Sequence, residues 1–180
     1  MILGDRVRLR GIERSDLPRC VTWLNDAEVR QHLLVCLPLS MADEEAWFEQ
    51  MIKRPAEEHP LVIEIKAAEG WTPIGDTTFN NINWRDRSAE FGIFIGEKRF
   101  WNQGYGSEAT RLMLRHGFNN LNLYRIYLHV YETNPRAIRA YERAGFVLEG
   151  RLRHDRFLDG RYIDVLLMAV LQPEWQETAK

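Results

Sequence analysis

The chain has 180 residues, 45% hydrophobic and 28% charged, a length and balance suited to one compact domain with its own core. A formal net charge of -2 gives no global attraction to phosphate backbones or anionic lipid, so neither nucleic acid nor a membrane surface is expected as a partner without a strong local basic patch, and none is evident. Apolar runs such as His32 to Leu39 and Val165 to Leu171 are far shorter than the roughly 20 residues of a membrane span, Met1 to Arg6 holds no apolar signal region, and Cys20 and Cys36 lack CxxC or companion His spacing; the expectation is a cytoplasmic protein with two reduced thiols and no metal site.

No repeat, low-complexity stretch or linker divides the chain, so 1–180 reads as a single domain. Val7 to Arg10 alternates like a half-buried strand, and Ser15 is placed to cap a helix whose Leu17, Cys20, Val21 and Leu24 share a face. Ser40 with Asp43 resembles a capping box, with Trp47, Phe48, Met51 and Ile52 as the apolar stripe up to Pro55. Strand patterns follow at Leu61 to Ile65, Ile74 to Phe79 and Ala89 to Ile95, the first two parted by Gly70 and Pro73, the last two joined by a short charged connection that suits antiparallel neighbours. A long helix from near Gly106, carrying Ala109, Leu112 and Met113 on one face, and a strand from Arg125 to Val130 complete one βαβ unit. Asn134-Pro135 starts and Ala144-Gly145 ends a short helix, after which Phe146 to Leu152 and Tyr162 to Val170 are strands joined by a turn at Leu158 to Arg161. The sum is a mixed sheet flanked by about four helices, an α/β (α+β) domain.

The chemistry is concentrated between Glu97 and Glu108, where Trp101-Asn102-Gln103-Gly104-Tyr105-Gly106-Ser107-Glu108 leads from a strand into a helix. Two glycines strip side chains from a helix N-terminus, whose unpaired N–H groups and dipole suit a pyrophosphate; the competing reading is a bland turn with close helix packing. A dinucleotide-binding reading, with Gly104 and Gly106 before the helix and Glu132 closing the next strand, fits poorly because the loop is long, only one βαβ unit exists and antiparallel-looking strands precede it.

Three segments in order, Ala89-Glu90-Phe91, Trp101 to Ala109, and Asn134-Pro135-Arg136-Ala137-Ile138-Arg139-Ala140-Tyr141-Glu142-Arg143-Ala144-Gly145-Phe146, make the stretch from Ala89 to Met168 resemble the GNAT N-acetyltransferases, within them the ribosomal-protein N-terminal and spermidine acetyltransferase branch. The resemblance implies a GNAT fold with a mostly antiparallel sheet of about seven strands, splayed in the middle, and acetyl-coenzyme A as cosubstrate. It implies that pantetheine pairs with the strand edge at Ile93, Phe94 and Ile95. It further implies that Trp101, Asn102, Gln103, Gly104, Tyr105, Gly106 and Ser107 form the coenzyme A loop, and that Asn134, Ala137 and Arg143 add contacts. Trp101 stands where the superfamily usually has Gln or Arg, and so supplies no charge to the phosphates.

By the same resemblance Tyr141 aligns with the tyrosine that protonates the departing thiolate, although its helical spacing with Ala137, Ile138 and Ala144 equally suits packing. Attack needs a neutral amine, and an alkylammonium near ~10.4 is mostly protonated at pH 7, so a base is expected. Glu90 is the candidate, against the alternative of an outward polar position on an alternating strand. The apolar run His32 to Leu39 lacks the carboxylates a polyamine would call for, and Asp43, Glu44, Glu45 and Glu49 read as a solvated helix face. The expected acceptor is therefore a protein N-terminus, an amino sugar or another small amine, with a polyamine enzyme less favoured and a catalytically silent coenzyme A-binding module as the competitor from another class. Val165 to Leu171 and Trp175 are the candidates for a homodimer contact.

Overall fold

The computed structural model describes residues 1–33, 38–68 and 70–175. Eight strands, β1 (Ile2–Leu3), β2 (Val7–Gly11), β3 (Leu61–Ala67), β4 (Gly70–Asn83), β5 (Ser88–Ile95), β6 (Arg125–Tyr131), β7 (Val147–Leu158) and β8 (Arg161–Leu171), form one sheet in the order β1-β2-β3-β4-β5-β6-β8-β7. Every neighbouring pair is antiparallel except β5 and β6. The strand beyond the expected seven is β1, two residues paired to β2. The five α-helices among the described residues are α1 (Leu17–Asn25), α2 (Ala27–Arg30), α3 (Met41–Met51), α4 (Tyr105–Arg115) and α5 (Pro135–Ala144); the unforeseen one is the single turn α2, capped by the Asp26 side chain.

Alternation along the strands sends the two sets of helices to opposite faces. On one face Ala89, Phe91, Ile126, Leu128 and Val130 pack with Ala109, Leu112, Met113 and Leu114 of α4, and the exposed ends of the cluster are closed by Ala137, Ile138 and Tyr141 of α5. On the other face Cys20 of α1 donates to the buried Asp76 carboxylate at 3.5 Å, and Trp23 meets Phe94 edge-on at 6.2 Å. Asp76 and Phe94 are cross-strand partners, so both project from that second face. Trp23 closes over Gly96, where a Cβ would lie 2.2 Å from the indole; only glycine lets α1 come this near the sheet.

Several local expectations are corrected. Ser15 does not cap α1: a 3-10 turn at Arg14–Asp16 precedes the helix, with a capping box between Glu13 and Asp16, because the Asp16 carboxylate is fixed by the Glu13 N–H and by Arg10. The buried face of α1 is Leu17, Cys20 and Trp23, while Val21 and Leu24 are half-buried. The Ser40–Asp43 capping box is present, but Trp47 and Ile52 are exposed and the buried set is Glu44, Phe48 and Met51. Pro73 lies inside β4, opposite Glu64 where the register of β3 shifts. The final hairpin runs longer than its hydrophobic pattern, through two irregularities, to a turn with Asp159 and Gly160 at positive φ.

The apolar residues of β8 expected at a dimer contact are spent inside the chain: Val165, Leu166, Met168, Ala169 and Val170 are buried, and Trp175 packs on Phe118 at 5.3 Å. β8 is an interior strand, flanked by β6 and β7, and from Ile163 to Val170 its apolar side chains are buried or half-buried within the chain. Cys36 and the apolar residues 34–37 lie outside the described residues. Among the described residues no helix is long and apolar enough to cross a membrane.

Candidate active site

The parallel pair β5–β6 is joined only at Ser88–Arg125, Ala89–Ile126 and Glu90–Tyr127; beyond Glu90 the two strands part. A cavity of about 610 Å³ fills the gap. The Gly92 carbonyl accepts from Thr77 Oγ1 at 2.9 Å, and the Gly96 N–H donates to the Ile74 carbonyl at 2.8 Å, so these residues spend backbone groups on the β4 side. Alternation turns those of Ile93 and Ile95 into the gap, where the Trp101 indole N–H already donates to the Ile95 carbonyl at 2.8 Å. Phe94 lines the cavity from the Trp23 side instead.

At one end of the gap lies the N-terminus of α4. Asn102 (φ 61°) and Gly104 (φ 85°) turn the chain sharply into the helix, no side chain caps it, and the first intrahelical donor is the Glu108 N–H to the Gly104 carbonyl at 3.0 Å. The N–H groups of Tyr105, Gly106 and Ser107 therefore face the cavity without helical partners. Glu108 fixes this corner: its carboxylate accepts from the backbone N–H of Asp5, Arg6 and Val7 at 3.0, 2.8 and 3.1 Å and from Arg6 Nε at 3.2 Å. The Arg136 guanidinium lies over the Trp101 ring at 4.1 Å, tying the loop to α5, and Arg139 and Arg143 of α5 also line the cavity. Gln103 does not: its side chain turns back to the Arg99 carbonyl at 2.7 Å, and its own carbonyl accepts from Arg6. Asn134 accepts the Ala137 N–H at 3.2 Å as N-cap of α5, and both residues reach the cavity wall.

Tyr141 and Glu90 stand on opposite sides of the gap. Tyr141 meets Phe91 edge-on at 6.3 Å and Phe146 at 5.7 Å on the α4–α5 face. Burial pushes its phenol up to about 12, so it stays protonated and able to donate. Glu90, one residue from Phe91, points to the other face. Its Oε1 is 2.8 Å from His129 Nδ1, and its Oε2 accepts from Asn81 Nδ2 at 2.9 Å, an asparagine held at φ 52° in the β4 bulge. A carboxylate only accepts, so the Nδ1 proton lies toward Glu90 and Nε2 is the ring nitrogen outside that contact. Burial and the negative Glu90 both push the neighbouring Tyr127 phenol up.

Sequence reading brought Glu90, Ile93, Phe94, Ile95, Trp101, Asn102, Gly104, Tyr105, Gly106, Ser107, Asn134, Ala137, Tyr141 and Arg143 to one cavity. It missed His129, Arg136, Arg139 and Arg156, which line the same space. His129 becomes visible only through the β5–β6 register. Glu132, which closes the strand after the helix in the dinucleotide reading, pairs with Arg151 and accepts the Asp164 N–H.

Residues 6–147 match the family model described as an acetyltransferase (GNAT) domain. The chain is 35% identical over 176 residues to a spermidine N(1)-acetyltransferase of Vibrio cholerae, covering 96% of this chain and 97% of that one. It is 30% identical over 182 residues to the Escherichia coli K12 protein of the same name, covering 94% and 88%. A crystal structure of spermidine N-acetyltransferase from Vibrio cholerae in complex with CoA and spermine superposes with a TM-score of 0.86 at 33% identity, covering 95% of this chain and 98% of that one.

Proposed function

The chain belongs to the GNAT acetyltransferases and is an acetyl-coenzyme A-dependent N-acetyltransferase, and from that premise we propose that Glu90 with His129 accepts the amine's proton and that Tyr141 protonates the leaving sulfur. The observation that carries this is the placement of Glu90–His129 and Tyr141 on opposite sides of one sheet gap. Acetyl-coenzyme A, when bound, supplies an activated thioester carbonyl. The uncapped α4 N-terminus and the Arg136, Arg139 and Arg143 side chains suit its phosphates, and the Ile93 backbone edge suits its amide chain.

His129 Nε2 takes a proton from the incoming ammonium, and Glu90 steadies the resulting imidazolium. The freed amine forms the N–C bond as the C–S bond breaks, the Tyr141 hydroxyl donates its proton to the sulfur, and the further proton that the nitrogen sheds on becoming an amide passes to solvent. The phenol then recovers its proton from solvent, to which His129 also releases its own. An Ile93 N–H directed into the gap is placed to donate a hydrogen bond to the carbonyl oxygen as negative charge develops on it.

The acceptor is a primary amine. Among the described residues of the lining, Glu90 is the sole carboxylate, and with Arg136, Arg139 and Arg143 directed to the coenzyme A phosphates, Arg156 is the cation left to face the acceptor. That balance favours an acceptor with one cationic centre, such as a peptide N-terminus, amino sugar or small amine, over a polycation. The polyamine reading is supported by the names of the relatives at 35% and 30% identity. Thiol release from acetyl-coenzyme A, measured with spermidine, glucosamine, short peptides and amino acids, separates the two. Release with none of these amines overturns the enzymatic reading and leaves a silent binding module.

A further inference from the structure

The four arginines of the cavity wall do not belong to one cluster. Arg136, Arg139 and Arg143 are on α5, beside the α4 N-terminus, whereas Arg156 comes from β7. Cross-strand partners in an antiparallel sheet share a face, as do residues two apart on a strand. Arg156 is opposite Ile163, Ile163 is two residues from Val165, and Val165 is opposite Tyr131, two residues from His129. Arg156 therefore projects from the same face as His129 and Glu90, the face away from Tyr141 and α5. Its charge is on the amine's side of the gap.

The side chain is only partly used. Arg156 Nη1 bonds the Asp155 carboxylate at 2.9 Å and the Asp155 carbonyl at 3.2 Å. Nε is buried and has no partner among the described residues. A buried guanidinium donor without an acceptor is costly, and the Nε–Nη2 edge is the side-on fork that a carboxylate occupies with two parallel bonds. A polyamine offers this edge only further positive charge.

Resting on the acetyltransferase reading above, we propose that the acceptor is an amine that also carries a carboxylate, and that Arg156 holds this carboxylate while the amine faces Glu90 and His129. Arg156 is then a specificity-determining residue. A two-bond charge-assisted contact is worth about 10- to 100-fold in discrimination against the matching neutral amide.

The test pairs acceptors that differ only in that group: α-amino acids and ω-amino acids from glycine to 5-aminopentanoate, each with its carboxamide, and spermidine alongside. For the best chain length the acid is expected to exceed its amide about 10- to 100-fold in kcat/KM, chiefly through KM. In Arg156→Gln the ratio falls to near one through loss on the acid, while the calorimetric Kd for acetyl-coenzyme A stays unchanged. Arg156→Lys, which keeps the charge without the fork, recovers part of the ratio. Equal use of acid and amide by the parent protein, or a ratio that survives in Arg156→Gln, overturns the inference while leaving the acetyltransferase standing. Were no amine turned over at all, the enzymatic reading would fall, and calorimetry of acid against amide on the coenzyme A-loaded protein would decide the role of Arg156 by the same ratio.

Discussion

The substitution Asp76→Asn should change how stability depends on pH. Asp76 is 9% exposed in the interior of β4, its Oδ2 accepts from Cys20 Sγ, and its Oδ1 has no partner among the described residues. Burial pushes its carboxyl up from 3.8 to about 7, against the favourable Cys20 bond and with Asp16 and Glu44 adding negative field that Arg10 partly offsets. The unfolded chain gives up this proton near 3.8 and the folded one only near 7, so between those values the unfolded state binds fewer protons and stability falls as pH rises. At about 1.36 kcal/mol per pH unit the accumulated loss is about 4 kcal/mol, complete above about pH 7 and absent below about pH 4. Urea unfolding followed by circular dichroism at pH 5, 6, 7 and 8 reads it directly. The Asp76→Asn variant should gain on the parent with every step up to pH 7 and hold a constant difference beyond. The slope is diagnostic and the absolute offset is not, since the amide introduces a buried N–H of its own. Parallel stability curves for the two proteins would refute the reasoning.

Tyr141→Phe should lower kcat by about 10²- to 10⁴-fold while the calorimetric Kd for acetyl-coenzyme A is unchanged, since the phenyl ring keeps its contacts with Phe91 and Phe146; an unaltered kcat removes the hydroxyl from the reaction. His129→Gln should cost a similar factor at neutral pH and recover as the assay pH approaches the acceptor's own pKa, because an amine already neutral needs no base. A deficit independent of pH would assign His129 to positioning alone. Glu108→Ala strands the N–H groups of Asp5, Arg6 and Val7, a loss of about 3 kcal/mol that scanning calorimetry should register as a fall of roughly 10 °C. Gly104→Ala forces a side chain into φ 85° with its Cβ 3.2 Å from Arg6 Nη2, and should raise KM for acetyl-coenzyme A several-fold with kcat nearly constant.

What could be read in advance was what the chain decides locally. Asn134 caps α5, Gly145 closes it at φ 103°, and Ser40 pairs with Asp43, because each signal lies within a few residues of its consequence. That the glycine loop and Tyr141 share one cavity was legible through a family pattern. His129 and Arg156 were not, since their places in the cavity depend on register: His129 reaches Glu90 from 39 residues away, and Arg156 joins them only through the pairings of β7, β8 and β6. Glu44 was misjudged as solvated for the complementary reason. Helical spacing puts it beside Asp43 and Glu45, but the packing of α3 against α1 leaves it 5% exposed, and burial pushes its carboxyl up.

A cleft lined from both faces of a sheet would let the two reactants of the proposed mechanism enter by separate routes. Neither has to leave for the other to enter, and the thiol of Cys20, committed to Asp76 and pushed up by burial, stands ready for no covalent relay. Kinetics of this shape should follow a ternary-complex pattern with intersecting reciprocal plots. It also means that the wall seen by the amine can be rewritten, residue by residue, behind a thioester platform that never registers the change.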